Sequence, residues 1–374
     1  MNACCGTQLR SFRKYVWLIG GALPLAACLG GSDTAPPVQH AIFLNLGLLP
    51  GYTSSQASAV SSDGGVVVGT ATTAAGNRQA FRWNAQQGIL GIGFVPGGTD
   101  SVATAVSTDG TVIVGTGDAS NSDAPTSSVG FRWNAGAGVQ RVEALAGSHL
   151  CFAAGVSGDG TAIVGTCLQV NNTAFRWTAS SGSVPLDRFG TGSNQESTAN
   201  AISSDGSVIA GAGHPVLTGA VIWAANTSPT VIGKLPGDAT AVATAVSTGG
   251  SVVVGSSMDN VGTSRAFRWT QQTGMGALGD SMNGLLGSFA TSVSGSGSII
   301  VGYGPTVAGD IALIWDVDHG LRSLEAALAA DYQTQIAGWK LLRATGISND
   351  GHTIAGYGMN PEGRTEAWIV KLPD

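Results

Sequence analysis

The sharpest pair of chemistry-bearing residues in the sequence is Cys151 and Cys167. Each lies eight residues from Asp159, which begins an Asp-Gly pair of the kind that favours a tight hairpin turn. In an antiparallel hairpin, this symmetric spacing places the two thiols opposite each other on neighbouring strands. The spacing therefore predicts a cross-strand disulfide, and the alternative is two separate buried thiols. Because the chain has no Cys-x-x-Cys motif, we expect the bond to be structural and not redox-active.

No other residue types are spaced for catalysis or metal binding. The repeated Ser-x-Asp-Gly segments supply one carboxylate each, whereas a calcium loop of the EF-hand type needs several within about twelve residues. We interpret these aspartates as turn formers, and we predict no catalytic residue, no metal and no cofactor. The histidines are scattered without the spacing of a zinc site: His40, His149, His214, His319 and His352.

The composition indicates a turn-rich β protein. Glycine accounts for 57 of the 374 residues, and charged residues for only 11%. The absence of a Gly-X-Y period excludes collagen, and a hydrophobic share of 43% argues against disorder. A net charge of -6 at pH 7 gives no basic footprint for nucleic acid, so we predict no nucleic-acid partner.

The body of the chain consists of seven copies of one repeat, each roughly 46 residues long. Copy two reads TAVSTDGTVIVGT and then GFRW, which encodes a first strand, an Asp-Gly turn, a β-branched second strand and a third strand. A weaker fourth strand follows. Four antiparallel strands per repeat are typical of a β-propeller blade, and the alternative is a parallel β-helix. One tryptophan marks each copy: Trp83, Trp133, Trp177, Trp223, Trp269, Trp315 and Trp368.

The two ends of the repeat array predict a closed ring. The last copy has no fourth strand, whereas the segment from Phe43 to Gly47 resembles the fourth strand of a missing copy. We therefore predict an all-β, seven-bladed propeller over residues 41–374, in which the N-terminal strand completes blade seven. Such closure removes free sheet edges. Two segments depart from the repeat: an insertion at residues 118–129, expected as a loop, and a short helix expected at residues 323–335.

Residues 1–27 have the pattern of a signal peptide. Three basic residues precede an apolar stretch at residues 16–25, which is too short to span a bilayer comfortably. Leu25-Ala26-Ala27-Cys28 then resembles the lipobox of bacterial lipoproteins, and the alternative is an ordinary secretory signal with a chance cysteine. The resemblance implies cleavage before Cys28, lipidation of its thiol, and attachment to the membrane through that lipid. Leu29 favours the outer membrane by the sorting rule of those proteins, and residues 28–40 form a flexible tether.

The repeats resemble the bacterial extracellular HAF-repeat family, named for its His-Ala-Phe signature. The signature occurs here as Ala-Phe-Arg-Trp at residues 80–83, 174–177 and 266–269, with alanine in the first position. The resemblance covers roughly residues 41–374. It implies export and a surface setting, and it implies no catalytic residues.

In a propeller, the loops between second and third strands share one face with the loops between blades, and that face usually presents the ligand site. We expect six residues in these loops to bind a ligand: Asn172, Glu196, Asp238, Asp259, Tyr303 and Tyr357. The sequence thus predicts a monomeric, lipid-anchored surface protein that acts as a binding module for a glycan or a protein. The alternatives are a propeller enzyme acting on polysaccharide, as a lyase or hydrolase, and a structural envelope protein.

Overall fold

The computed structural model of the chain describes residues 40–121, 124–148, 150–169, 171–187, 196–214, 219–224, 228–279 and 284–373. The predicted signal peptide, Cys28 and all but the last residue of the predicted tether lie outside these residues.

Within the described residues, the chain forms seven four-stranded antiparallel sheets and one short helix. The first strands of all seven sheets line a common central channel, so the architecture is a seven-bladed β-propeller, as predicted.

The strands are numbered in chain order, beginning with β1 (Ile42–Gly47). Blade one contains β2 (Ser54–Val60), β3 (Val66–Thr72), β4 (Arg78–Asn84) and β5 (Gly88–Gly93), and blade two contains β6 (Ser101–Val106), β7 (Ile113–Asn121), β8 (Ala124–Asn134) and β9 (Gly138–Arg141). Blade three contains β10 (Leu150–Val156), β11 (Ala162–Leu168), β12 (Thr173–Thr178) and β13 (Gly182–Pro185), and blade four contains β14 (Glu196–Ile202), β15 (Val208–His214), β16 (Gly219–Ala224) and β17 (Thr230–Gly233). Blade five contains β18 (Thr240–Val246), β19 (Val252–Met258), β20 (Ser264–Thr270) and β21 (Gly274–Ala277), and blade six contains β22 (Phe289–Val293), β23 (Ile299–Thr306), β24 (Gly309–Asp316) and β25 (Gly320–Ser323). Blade seven contains β26 (Lys340–Ile347), β27 (Thr353–Met359) and β28 (Thr365–Lys371).

The phenylalanine of each Phe-Arg-Trp motif packs over a glycine in the second strand of its blade. Phe81 is fully buried, and a Cβ atom on Gly69 would lie 2.7 Å from its ring and 2.0 Å from the carbonyl oxygen of Gln56. No side chain fits at such distances. This close approach explains why glycine recurs at the end of the β-branched run, as at Gly115 opposite Phe131.

The Ser-x-Asp-Gly segments form the turns between first and second strands. Ser61 donates its hydroxyl to Asp63 at 2.6 Å and accepts the backbone N–H of Val66 at 2.9 Å, while Gly64 adopts a φ of 68°. The turns are also joined into a ring by backbone hydrogen bonds from each blade to the next. The seven donor–acceptor pairs are Ser62–Thr108, Thr108–Gly158, Gly158–Ser204, Asp205–Thr248, Thr248–Gly295, Gly295–Asn349 and Asn349–Ser62.

Strand β1 closes the ring by pairing antiparallel with β28, so the N-terminal strand supplies the outermost strand of blade seven. The predicted disulfide is also present. Cys151 on β10 and Cys167 on β11 are register partners, and a bond joins their sulfur atoms.

The two departures from the repeat differ from expectation. The insertion at residues 118–129 is not a loop, because β7 and β8 continue their pairing through it, with Asp118 opposite Ser128. The helix α1 (Leu324–Tyr332) is shorter than expected, since Gln333 adopts a left-handed φ of 47° that ends it. Leu324 and Leu328 are fully buried against blades six and seven. Among the described residues, no helix combines the length and the apolarity needed to cross a membrane.

Candidate functional site

Side-chain hydroxyls on the first strands join neighbouring blades around the central channel. Thr345 donates to the carbonyl oxygen of Ala57 at 2.9 Å, and Thr291 donates to that of Ala344 at 2.7 Å. These hydroxyls link neighbouring blades and leave a cavity of only about 170 Å³. A cavity of this size is too small for a sizeable ligand. The equivalent positions, one at the bulge of each first strand, are Ser58, Thr104, Ala154, Asn200, Thr244, Thr291 and Thr345.

A second ring lies two residues earlier on the same strands, towards the predicted binding face. We call it the channel-mouth ring. None of its side chains is buried, and adjacent blades carry different residues at this position, unlike the positions that build the scaffold. Because this ring borders the face formed by loops that do not repeat, it is the part of the channel where specificity can reside. Its members are Gln56, Val102, Phe152, Thr198, Val242, Phe289 and Arg343.

The richest side-chain cluster on this ring lies between blades six and seven. Phe289 and Tyr303 stack with their ring centroids 4.9 Å apart and their planes 11° from parallel. The guanidinium of Arg343 lies over the Tyr303 ring at 3.9 Å, in cation–π geometry. Asp310 accepts from the Arg343 Nε atom at 2.6 Å, and Tyr357 is the cross-strand register partner of Arg343. We call these five residues the Arg343 stack.

The charges within the Arg343 stack are fixed by their surroundings. Burial is the largest single influence on Arg343 and opposes its charge, but the hydrogen bond to Asp310 and the nearby Tyr357, Tyr303 and Asp310 groups together raise its pKa. Burial also raises the pKa of the Tyr357 phenol, and the positive charge of Arg343 offsets part of that effect. The stack therefore presents a permanent cation and a neutral phenol, with 36% of the Arg343 side chain exposed.

A pocket of about 550 Å³ opens on the same ring between blades two and three. Phe152 forms one wall and is 37% exposed. The opposite side carries the ion pair between Arg78 and Asp100, at 2.8 Å. Asp118 accepts the backbone N–H of Asp100 at 2.6 Å; burial opposes its charge, but such hydrogen bonds keep its pKa below the usual value.

The structure brings together only two of the six predicted ligand-binding residues. Tyr303 and Tyr357 meet through Arg343, but they lie within β23 and β27 and not in loops. Glu196 likewise begins strand β14, opposite His214. The prediction that these three residues lie in loops was wrong because the strands extend further towards this face than the repeat pattern indicated.

The remaining three predicted residues form contacts within the protein that hold the loops in place. Asp238 is buried, with 1% of its side chain exposed, and it forms an ion pair with Arg265 at 2.5 Å. Asp259 accepts the backbone N–H groups of Val261 and Thr263 at 2.9 Å, and these bonds lower its pKa. The carbonyl oxygen of Asn172 accepts the backbone N–H of Ser197. Nothing in the structure gathers these residues around one ligand.

Sequence reasoning did not find Arg343, Asp310, Phe289 or Phe152. The signal was present, because Phe152 and Phe289 occupy the same position of the repeat, two residues before the bulge. Arg343 is harder to place, since β26 contains an additional register shift between Leu341 and Arg343. Within the described residues, no group of three or more His, Cys, Asp or Glu side chains is arranged to hold a metal ion.

No protein-family model and no curated protein matches the sequence. Solved structures match the fold. The β-propeller domain of Cps50 (Swd1) from Myceliophteria thermophila is 13% identical, with a TM-score of 0.52 over 87% of this chain and 99% of that one. An oligogalacturonate lyase from Vibrio parahaemolyticus is 11% identical, with a TM-score of 0.56 over 90% and 98%. A prolyl endopeptidase is 11% identical, with a TM-score of 0.56 over 86% of this chain, which spans 51% of that protein's length. At these identities, the similarity shows the propeller fold alone.

Proposed function

We propose that this protein is an exported, lipid-anchored β-propeller that binds a glycan or a protein ligand at its channel-mouth ring. The observation that carries the proposal is the contrast between two adjacent rings of residues. One ring is small and linked by hydrogen bonds between blades, whereas the channel-mouth ring is accessible and varied. Residues that vary within a regular scaffold are those free to serve recognition.

The Arg343 stack has the composition of a recognition surface. Its aromatic rings provide flat apolar faces, and the Tyr357 hydroxyl and the Arg343 guanidinium provide hydrogen-bond donors. Such combinations are common where a ligand has both apolar and polar groups, as saccharides and peptide segments do. The pocket beside Phe152 extends the proposed surface to the other side of the mouth.

Binding can be tested by applying the purified full chain to an array of glycans and peptides. We expect selective binding to one class, and a variant with Arg343→Gln and Tyr303→Ala should lose it. Equal binding by that variant would place the site elsewhere, and turnover of a bound polysaccharide would favour the enzyme alternative.

Three features support export, and one of them, the lipobox, also supports the lipid anchor. The disulfide between Cys151 and Cys167 is typical of proteins in an oxidising compartment. The sequence before Cys28 resembles a lipobox, and the repeats resemble the extracellular HAF-repeat family. Labelled palmitate should be incorporated into the full chain in a bacterial host and not into a Cys28→Ala variant. Incorporation into both would contradict the anchor.

A further inference from the structure

A groove of about 710 Å³ lies between blades two and three at the end of the propeller opposite the channel-mouth ring. Blade two contributes Arg132 from β8 and Arg141 from β9. Blade three contributes Trp177 from β12 and Thr161 from the turn after Asp159. The groove therefore combines two cations, an aromatic ring and a hydroxyl.

The two arginines of this groove are not used by the protein itself. Of the ten arginines in the described part of the chain, only Arg132, Arg141 and Arg176 have no hydrogen-bond or ion-pair partner. Two of these three line the same groove. The chain has a net charge of -6, so two arginines without partners in one concave site are unusual. Both guanidinium groups are available to bind an anionic ligand.

The aromatic ring beside these cations is held in place. The indole N–H of Trp177 donates to Glu143 at 2.8 Å, which fixes the ring at the groove wall. Glu143 is the one carboxylate among the described residues that line the groove, and its Oε2 atom accepts this hydrogen bond. A fixed aromatic face beside cations suits a ring-shaped ligand that has an apolar face and carries a carboxylate.

A second groove in the same protein shows which residues of the groove between blades two and three are absent from the equivalent space of another blade pair. The equivalent space between blades one and two has a volume of about 600 Å³ and contains Arg82 and Trp133. There, Leu90 and Gly91 occupy the repeat positions that Gln140 and Arg141 occupy in blade two. The additional polar and cationic groups are thus not required by the scaffold, since the neighbouring blade folds without them.

We propose that the groove between blades two and three binds an acidic saccharide, with the carboxylate of a uronic acid held by Arg132 and Arg141 and the sugar ring packed against Trp177. Gln140 lines the same groove and can donate to or accept from sugar hydroxyls, whereas the Thr161 hydroxyl already donates to Asp159 at 2.8 Å and can accept from them. The site is distinct from the channel-mouth ring, and it does not depend on the ligand proposed there.

The test is calorimetric titration of the purified full chain with a trimer of galacturonic acid and with the neutral galactose trimer. We expect the acidic trimer to bind at least about ten-fold more tightly, because bidentate hydrogen bonds from arginine to a carboxylate are strong. Raising the salt concentration should weaken this binding. Equal affinity for both trimers, or binding of neither, would overturn the proposal.

Two variants and two controls locate the site. Arg132→Gln, and Arg141→Gly, which copies blade one, should each weaken binding of the acidic trimer about ten-fold. Arg176→Gln removes an unpaired arginine at the same repeat position one blade later and should change nothing. If Arg343→Gln abolishes binding while Arg132→Gln does not, the saccharide binds at the channel mouth and this inference fails. Equally tight binding of polyglutamate would identify an acidic peptide as the ligand and would also overturn it.

Discussion

Asn45 and Glu366, which lie 321 positions apart in sequence, are joined by a hydrogen bond of 2.6 Å across the closing strand pair. Glu366 is buried, and its other carboxylate oxygen accepts from Asn360 at 2.9 Å. The carboxylate is therefore satisfied from both the N-terminal strand and the last blade. Asn45 and Glu366 meet because the N-terminal strand pairs with β28.

Replacing Asn45 with alanine should lower the free energy of unfolding by about 1–3 kcal/mol, because a buried oxygen of Glu366 loses its donor. Urea denaturation followed by tryptophan fluorescence measures the change. Gln86→Ala, at an exposed turn of blade one, serves as the control and should have little effect. An unchanged midpoint in Asn45→Ala would mean that the hydrogen bond contributes nothing to closure.

The disulfide between Cys151 and Cys167 should stabilise the protein by about 3 kcal/mol, since it closes a loop with a sequence separation of 16. A Cys151→Ala, Cys167→Ala variant should lose that stability, and a reducing agent should destabilise the native chain without affecting the variant. Peptide mass spectrometry under non-reducing conditions checks the bond directly. Two free thiols in the native protein would refute it.

Features that depend on spacing within one hairpin could be predicted from the sequence, as could the closing strand, whereas side-chain contacts between neighbouring blades could not. The Asp-Gly turns and the cysteine register depend on local spacing, which is visible along one hairpin. The Arg343 stack depends on contacts between β23 and β26, which belong to different blades and follow no repeat. The role of Asp238 was also not predicted, because its partner Arg265 lies 27 residues further along the chain, on β20.

The extent of the strands was underestimated at the face that carries the channel mouth. The polar insertion at residues 118–129 contains few β-branched residues, yet β7 and β8 remain paired through Asp118 and Ser128. Backbone pairing already established in the hairpin extends with little regard for side-chain propensity. The same extension places Tyr303 and Tyr357 within strands, where their positions are fixed by the sheet.

The aspartates of the four Ser-x-Asp-Gly turns in blades one to four should make the protein sensitive to acid. Hydrogen bonds from neighbouring serine hydroxyls and backbone N–H groups lower the pKa values of Asp63, Asp109, Asp159 and Asp205. A carboxyl group whose pKa is lower in the folded state stabilises the fold at neutral pH. That contribution is present above the unfolded pKa of about 3.9 and is lost as the pH falls through the folded values.

A variant with these four aspartates replaced by asparagine should therefore lose less stability between pH 7 and pH 3 than the native chain. The measurement is the urea midpoint at both pH values for both proteins. Asparagine keeps an oxygen acceptor at the turn, so the variant is expected to fold. If the two proteins lose the same stability, the turns do not contribute to acid sensitivity.

Ligand binding at the channel mouth should depend on the charge of Arg343 and not on its role in folding. Arg343→Gln removes the cation from the face of Tyr303 and breaks the ion pair with Asp310, so affinity for the ligand identified on the array should fall about ten-fold. The control is Arg364→Gln in the same blade, which removes an arginine that lies outside the stack and has 54% of its side chain exposed.

Titration calorimetry measures the affinity of each variant for the ligand, and thermal unfolding verifies that both variants fold. Because the Arg343 side chain is partly exposed and its ion pair is therefore weakly stabilising, the two variants should unfold at similar temperatures and differ only in binding. An equal loss of affinity in both would indicate a general effect of positive charge and not recognition by the stack.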